Sequence, residues 1–135
     1  MLERKRRENI LKMKVTYWIL AVVLALTFGF AGVSKLTSQL AMVDMFTRFG
    51  YALWFMYFIG AAELAGALGL VFGTILNAKL LRLAALGLSV IMVGAIVSHL
   101  IYDSLVVAAP ATVLLVLLVC FLYMDKRVRS VLQSG

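Results

Sequence analysis

The stretch ALWFMYFIGAAELAGALGLVFG, residues 52–73, decides the fold. Apart from Glu63, every residue in it is apolar or glycine. A transmembrane helix needs about 20 predominantly apolar residues. The stretch is therefore long enough to cross a bilayer, and it carries one acid near its middle.

Three further apolar runs, residues 15–36, 80–102 and 105–123, have the same character. Apolar residues make up 64% of the 135-residue chain and charged residues 14%, against about 45–50% and 25% in soluble domains. The mean hydropathy is +1.07. These values exclude a soluble domain, a disordered chain and a disulfide scaffold. Four spans use most of the apolar residues, so no separate catalytic domain fits.

Basic residues predict the orientation. Eleven of the thirteen Lys and Arg residues lie in the two terminal segments and the turn between the second and third runs, and only Lys35 and Arg48 lie on the opposite side. The positive-inside rule then places both termini in the cytoplasm. We expect an all-α, antiparallel, four-helix integral membrane bundle, N-in/C-in. Its parts are a basic cytoplasmic segment (1–14), the transmembrane domain (15–124) and a cytoplasmic tail (125–135).

The segment from 37 to 50 links the first two spans on the outer side. Met42, Phe46 and Phe49 recur in it at helical spacing, which favours a short interfacial helix over the outer mouth, with a plain surface loop as the alternative. Aromatic residues are expected at both membrane interfaces. The candidates are Tyr17, Trp18 and Tyr123 inside, and Tyr51, Trp54, Tyr57 and Tyr102 outside.

Small residues on three of the runs predict close helix packing, because helices in lipid associate where their backbones can approach. Gly87 and Gly94 are the glycines of the third run. Pro110, the only proline, is expected inside the fourth helix, where it frees a backbone carbonyl. That carbonyl either faces a cavity or packs against small neighbours.

Glu63 is the most informative residue. An acid in the middle of a span costs about 2.5 kcal/mol or more on insertion scales. Its helical neighbours Gly60, Gly66 and Ala67 leave space around the carboxyl and place it against another helix. Glu63 is therefore a candidate ligand anchor, proton carrier or ion partner. The alternative is a structural hydrogen bond between helices.

Three other polar residues lie in the outer half: Lys35, His99 and Asp103. Lys35 either snorkels to the headgroups or turns towards Glu63, although straight helices leave the two charges several Å apart in depth. His99 suits ligand or proton binding, or an interfacial position. We expect Asp103 or Ser104 to cap the fourth helix, with a shared face for Asp103 and His99 as the alternative. Together they predict an outer polar pocket lined by Lys35, Glu63, His99 and Asp103.

Each of the first three helices contains a short motif: Phe28-x3-Gly32-x2-Lys35-Leu36, Gly60-x2-Glu63-x2-Gly66, and Met92-x2-Ala95-x3-His99 followed by Asp103. These motifs resemble those of the DoxX and DoxX-like family of small four-helix membrane proteins, and the resemblance covers residues 15–124. The resemblance implies that Lys35, Glu63 and His99 face inward. It also implies links to a quinone-linked oxidase, to redox-stress complexes, or to receptor assembly. The basic stretch at residues 4–14 is longer than the family leads us to expect.

Three functions are consistent with the sequence. The first is a small-molecule-binding or accessory subunit in membrane redox physiology, with a quinone as the cofactor class considered. The second is an assembly factor without a small ligand, and the third a transporter, for which four helices are few. We expect no independent enzyme, although a subunit of a quinone-linked oxidoreductase stays open. We also expect no metal or haem site, since there is one histidine and one cysteine, Cys120.

The expected partners are the lipid bilayer and either another membrane protein or a second copy of the chain. No nucleic acid is expected, because the basic residues cluster at the ends and little aqueous surface remains. The expected location is the bacterial cytoplasmic membrane, with several spans.

Overall fold

The computed structural model describes residues 1–134, which form five helices and no strand. The helices are α1 (Leu2–Leu36), α2 (Leu40–Arg48), α3 (Leu53–Ile75), α4 (Ala78–Tyr102) and α5 (Leu105–Gln133). Four of them, α1, α3, α4 and α5, are long and apolar enough to cross a bilayer. The prediction of an all-α membrane bundle with four spans is confirmed, and the protein is an integral membrane protein.

The four long helices form a closed ring of antiparallel neighbours. α1 packs against α3 and α5, α4 packs against α3 and α5, and α2 rests on α3 and α1. Both chain termini and the α3–α4 turn lie at one end of the bundle, here called the terminal end. The opposite end, the α2 end, carries α2 and the α4–α5 turn. The Asn77 side chain caps α4 at the terminal end by accepting from the Lys79 amide at 2.8 Å.

α1 and α5 are longer than the apolar runs that predicted them. α1 begins at Leu2 and has 35 residues, which span about 52 Å at 1.5 Å per residue, against about 30 Å for the hydrocarbon core. α5 continues to Gln133. The basic first fourteen residues and most of the basic tail are thus helical, and both project from the terminal end.

Large apolar side chains fill the bundle and also cover its outside. The exposed ones include Phe30, Leu83, Val90 and Val106, as lipid contact requires. In the core the Tyr17 ring stacks on Phe121 with centroids 5.1 Å apart. The core also contains Leu24, Phe28, Leu70, Leu81, Leu88 and Leu118.

Small residues bring α3 close to α4, as predicted. A Cβ added at Gly69 would lie 2.7 Å from the Ala84 Cβ, and one added at Gly66 would lie 2.6 Å from Leu88. The prediction is wrong for Gly87 and Gly94, where an added Cβ would meet no atom of the described chain within 4 Å. These two glycines lie on the face of α4 that points away from the bundle.

The short helix expected between the first two spans is confirmed as α2. Phe46 and Phe49 are buried beneath it, which explains why this segment is a helix with one apolar face and not a loop. The chain turns after α2 at Gly50, whose φ of +74° is readily adopted by glycine. Pro110 lies inside α5 as predicted, but its side chain is exposed on the outside of the bundle.

Candidate functional site: buried charges at the α2 end

A buried ion pair joins α1 to α3. The Lys35 Nζ donates to the Glu63 Oε2 at 2.7 Å. The two side chains are only 10% and 3% exposed. A charge pair of this kind, inside an otherwise apolar bundle, is the strongest polar feature of the membrane-spanning part.

Two facing glycines explain how the charges meet. A Cβ added at Gly60 would lie 2.8 Å from the Lys35 Cβ, and one added at Gly32 would lie 2.7 Å from the Gly60 carbonyl oxygen. Lys35 is therefore level with Gly60, one helical turn from Glu63 on α3. The expected offset of several Å in depth is therefore present between the two backbones, at about 4.5 Å, and the long Lys35 side chain bridges it to reach Glu63.

The position of α1's end also decides between the alternatives for Lys35. Gly60 is seven residues into α3, which corresponds to about 10 Å below the start of that helix. Lys35 turns inward to Glu63 there and does not snorkel outward. The residues between α1 and α3, which include α2, fill the space between the end of α1 and the α2 end of the bundle.

A second polar group ties α2 to the end of α4. The His99 Nδ1 lies 2.9 Å from the Asp103 Oδ2, and the Arg48 Nη2 lies 3.0 Å from the Asp103 Oδ1. An ionised carboxylate only accepts hydrogen bonds, so Nδ1 carries the proton in this pair and a neutral ring keeps Nε2 as an acceptor. His99 and Asp103 are nearly buried, whereas Arg48 is largely exposed.

The expected cap of α5 by the Asp103 side chain does not form. Asp103 is the residue that ends α4, and Ser104 occupies the N-cap position of α5 without a side-chain cap bond. The Arg48 guanidinium from α2 attracts the Asp103 carboxylate and offsets its unfavourable place at a helix C-terminus. The alternative, a shared helix face with His99, is what the structure has.

Aromatic rings cover His99. The Phe49 ring stands edge-on to the imidazole at 5.3 Å and stacks on Tyr102 at 5.1 Å. The Arg48 guanidinium lies 5.5 Å from the same Phe49 ring. Nearby, the Tyr51 hydroxyl and the Ser98 Oγ are 2.8 Å apart. α2 is thus fastened to α4 mainly through rings and one partly exposed ion pair.

The four predicted site residues therefore form two pairs at the same end of the bundle. Lys35 is paired with Glu63, and His99 with Asp103. Within residues 1–134, no hydrogen bond or ion pair joins one pair to the other. The first pair offers a buried cation and anion, and the second offers an imidazole under an aromatic cover.

The sequence interpretation missed a third polar group, at the terminal end. The Tyr17 hydroxyl and the Arg129 Nε both donate to the Asp125 Oδ1, at 2.7 and 2.8 Å. Arg129 also reaches the carbonyl of Gly73 at 3.3 Å. Asp125 is 1% exposed, and its Oδ2 is buried without a hydrogen-bond partner among the described residues. The group connects α1, α3 and α5.

One sequence signal for this group was available. Asp125 and Arg129 stand four residues apart, as helical ion pairs do, directly after the last apolar run. Tyr17, expected at the interface with lipid, is buried instead. The run of charges from residue 125 onward made this segment look like a solvated tail.

The model of the DoxX-like family matches residues 19–121, which is most of the chain. The chain belongs to the DoxX-like family. The matched part of this DoxX-like protein contains Lys35, Glu63, His99 and Asp103, whereas Tyr17, Asp125 and Arg129 lie outside it. Neither the curated proteins nor the solved structures gave a match to the chain.

Proposed function

We propose that this DoxX-like protein binds a small molecule at the α2 end, as an accessory subunit in membrane redox physiology. The observation that carries the proposal is the buried Lys35–Glu63 pair. Buried ion pairs are often no more stabilising than apolar residues of the same volume. Charged residues inside membrane spans commonly mark functional sites. The cost of keeping this pair therefore favours a role beyond holding α1 against α3.

The donors and acceptors at the α2 end suit a ring that carries carbonyl oxygens, such as a quinone. The Lys35 ammonium has three hydrogens and uses one on Glu63, so it can donate to a carbonyl oxygen. The Nε2 of a neutral His99 ring can accept from a hydroxyl of the reduced form, the quinol. The exposed ring of Tyr102 offers an apolar face for stacking. Entry of such a ligand requires α2 to move.

The experiment is native mass spectrometry of the gently solubilised protein, with added ubiquinone-1 as the probe, beside the Glu63→Gln variant. We expect the wild-type protein to retain the quinone and the variant to lose it. The matched control is Asp44→Asn, which removes an exposed acid of α2 and leaves binding unchanged. Equal binding by all three proteins, or by none, contradicts the proposal.

A second candidate function, an assembly factor for another membrane protein, is favoured by Gly87 and Gly94. Both are exposed on α4 with no neighbour within 4 Å inside the described chain, and small residues allow a second helix to approach closely. In that case Gly87→Leu disrupts a cross-linked complex in membranes, while Glu63→Gln leaves it intact.

The bacterial cytoplasmic membrane is the proposed location, with both termini in the cytoplasm. The α3–α4 turn lies at the terminal end together with both termini, so that end carries eleven of the thirteen Lys and Arg residues. This distribution supports that orientation through the positive-inside rule.

A further inference from the structure

A groove lies between the parts of α1 and α5 that project from the terminal end. Its volume is about 600 Å³. Lys5, Arg6 and Met13 of α1 contribute to one wall, and Arg127 and Ser130 of α5 contribute to the other. Because both helices continue past their apolar runs, the groove stands directly above the membrane-spanning part.

The charged residues in the first part of α1 lie on two different sides of the helix. Among residues 1–134, three cations and no acid line the groove: Lys5, Arg6 and Arg127. The acids Glu3 and Glu8 line a separate cleft on the other side, together with Arg4 and Arg7. There the Arg4 Nε lies 3.6 Å from the Glu8 Oε1.

The groove cations, by contrast, have no carboxylate partner. Within residues 1–134 none of Lys5, Arg6 and Arg127 takes part in an ion pair. Arg127 rests with its guanidinium 5.5 Å from the Tyr123 ring. A concave surface with three unneutralised cations attracts an anion.

The level of the groove matches the headgroup region of a bilayer. Arg127 is four residues beyond Tyr123, which corresponds to about 6 Å along the helix. Ile10 and Met13 continue the groove towards the apolar run that starts at residue 15. The cations of the groove therefore lie beside the apolar side chains of Ile10 and Met13, here called the apolar floor, which continues towards the hydrocarbon core.

We infer that this groove binds the headgroup of an anionic phospholipid from the leaflet that faces the two termini. Lys5, Arg6 and Arg127 contact the phosphate, and the first part of an acyl chain lies on Ile10 and Met13. A free phosphate gains nothing from that apolar floor, which is why a lipid is the occupant. Basic clusters immediately beside a membrane span attract anionic lipids by the same electrostatics.

The test compares two double variants of α1 that lose the same charge. Lys5→Gln/Arg6→Gln changes the groove, and Arg4→Gln/Arg7→Gln changes the opposite side. Native mass spectrometry of the detergent-solubilised full chain measures binding of dihexanoyl-phosphatidylglycerol. Each groove cation is worth about fivefold in affinity, so the groove variant binds about 25-fold more weakly than wild type, and the control variant stays within about threefold. Arg127→Gln on the other wall weakens binding about fivefold.

Three outcomes overturn the inference. If the control variant loses as much affinity as the groove variant, the attraction belongs to the whole basic segment and not to the groove. If dihexanoyl-phosphatidylcholine binds as tightly as the anionic lipid, the charge has no role. If glycerol 3-phosphate binds the wild-type protein as tightly as the lipid does, the occupant is a soluble anion. All changed side chains are exposed, so the bundle itself stays folded.

Discussion

We expect the bundle to lose stability when one partner of the Lys35–Glu63 pair is replaced, and to keep it when both are replaced by apolar residues. Lys35→Met leaves the Glu63 carboxylate buried at 3% exposure without a cation. Breaking a buried pair in this way costs about 3–5 kcal/mol. The cost is limited to about 4 kcal/mol at pH 7, because a buried carboxylate can take up a proton instead.

The partner variant, Glu63→Leu, costs less. Lys35 lies in the last turn of α1, where the helix dipole favours a cation. Its ammonium can also swing towards the α2 end on a flexible stem. We expect a loss of about 2–3 kcal/mol, in line with insertion scales for lysine.

The double variant Lys35→Met/Glu63→Leu is expected within about 1 kcal/mol of wild type, since apolar residues of similar volume replace buried pairs at little cost. The double-variant cycle then gives a coupling of at least about 4 kcal/mol, well above that of an exposed pair. Reversible unfolding in mixed micelles of dodecyl maltoside and dodecyl sulfate, followed by circular dichroism, measures these values. Additive losses in the double variant refute the reasoning.

Two further predictions concern helix contact and orientation. Gly60→Ala places a methyl group 2.8 Å from the Lys35 Cβ and 3.0 Å from the Gly32 carbonyl, so it pushes α1 from α3 and costs about 1–3 kcal/mol in the same unfolding assay. The control Gly87→Ala meets no atom of residues 1–134 within 4 Å and is neutral or stabilises by up to about 1 kcal/mol. Equal losses in the two variants contradict the packing argument. In a Cys120→Ser background, single cysteines at positions 2 and 134 stay unlabelled by an impermeant maleimide outside intact cells, and labelling at either position overturns the cytoplasmic placement of both termini.

The spans could be predicted from the sequence because hydropathy depends only on local composition. Glu63 was recognisable for the same reason, as one acid in a run of apolar residues. Its direct contact with Lys35 was not, because that contact depends on where α1 stops relative to α3. The Gly32–Gly60 contact sets this offset, and no pattern within a single helix reports it.

Asp103 shows a second limit of local reasoning. Its position just before α5 is typical of a capping residue, but Ser104 holds the N-cap position and the Asp103 carboxylate binds His99 and Arg48. The Arg48 guanidinium arrives from a helix 55 residues earlier in the chain and takes the carboxylate instead. Asp125 illustrates the opposite error. Because other charged residues follow it in the sequence, it was assigned to a solvated tail, whereas it is a buried acid.

Buried polar contacts hold α1 at both ends of the bundle. At the α2 end Lys35 binds Glu63 of α3, and at the terminal end Tyr17 binds Asp125 of α5, whose partner Arg129 reaches α3. Because these hydrogen bonds lie in a medium of low dielectric, they resist any sliding of α1 against its neighbours. If the proposed ligand binds at the α2 end, the movement that admits it falls to α2, which is fastened to α4 by rings and one partly exposed ion pair.

The two candidate functions use different faces of the molecule. A ligand at the α2 end depends on Lys35, Glu63 and His99 inside the bundle, whereas a partner helix would contact the outward glycines of α4. Glu63 and Gly87 share no contact, so their effects should add if both roles exist. A Glu63→Gln/Gly87→Leu double variant that loses quinone binding and complex formation to the same extents as the respective single variants would mean that the two sites act independently.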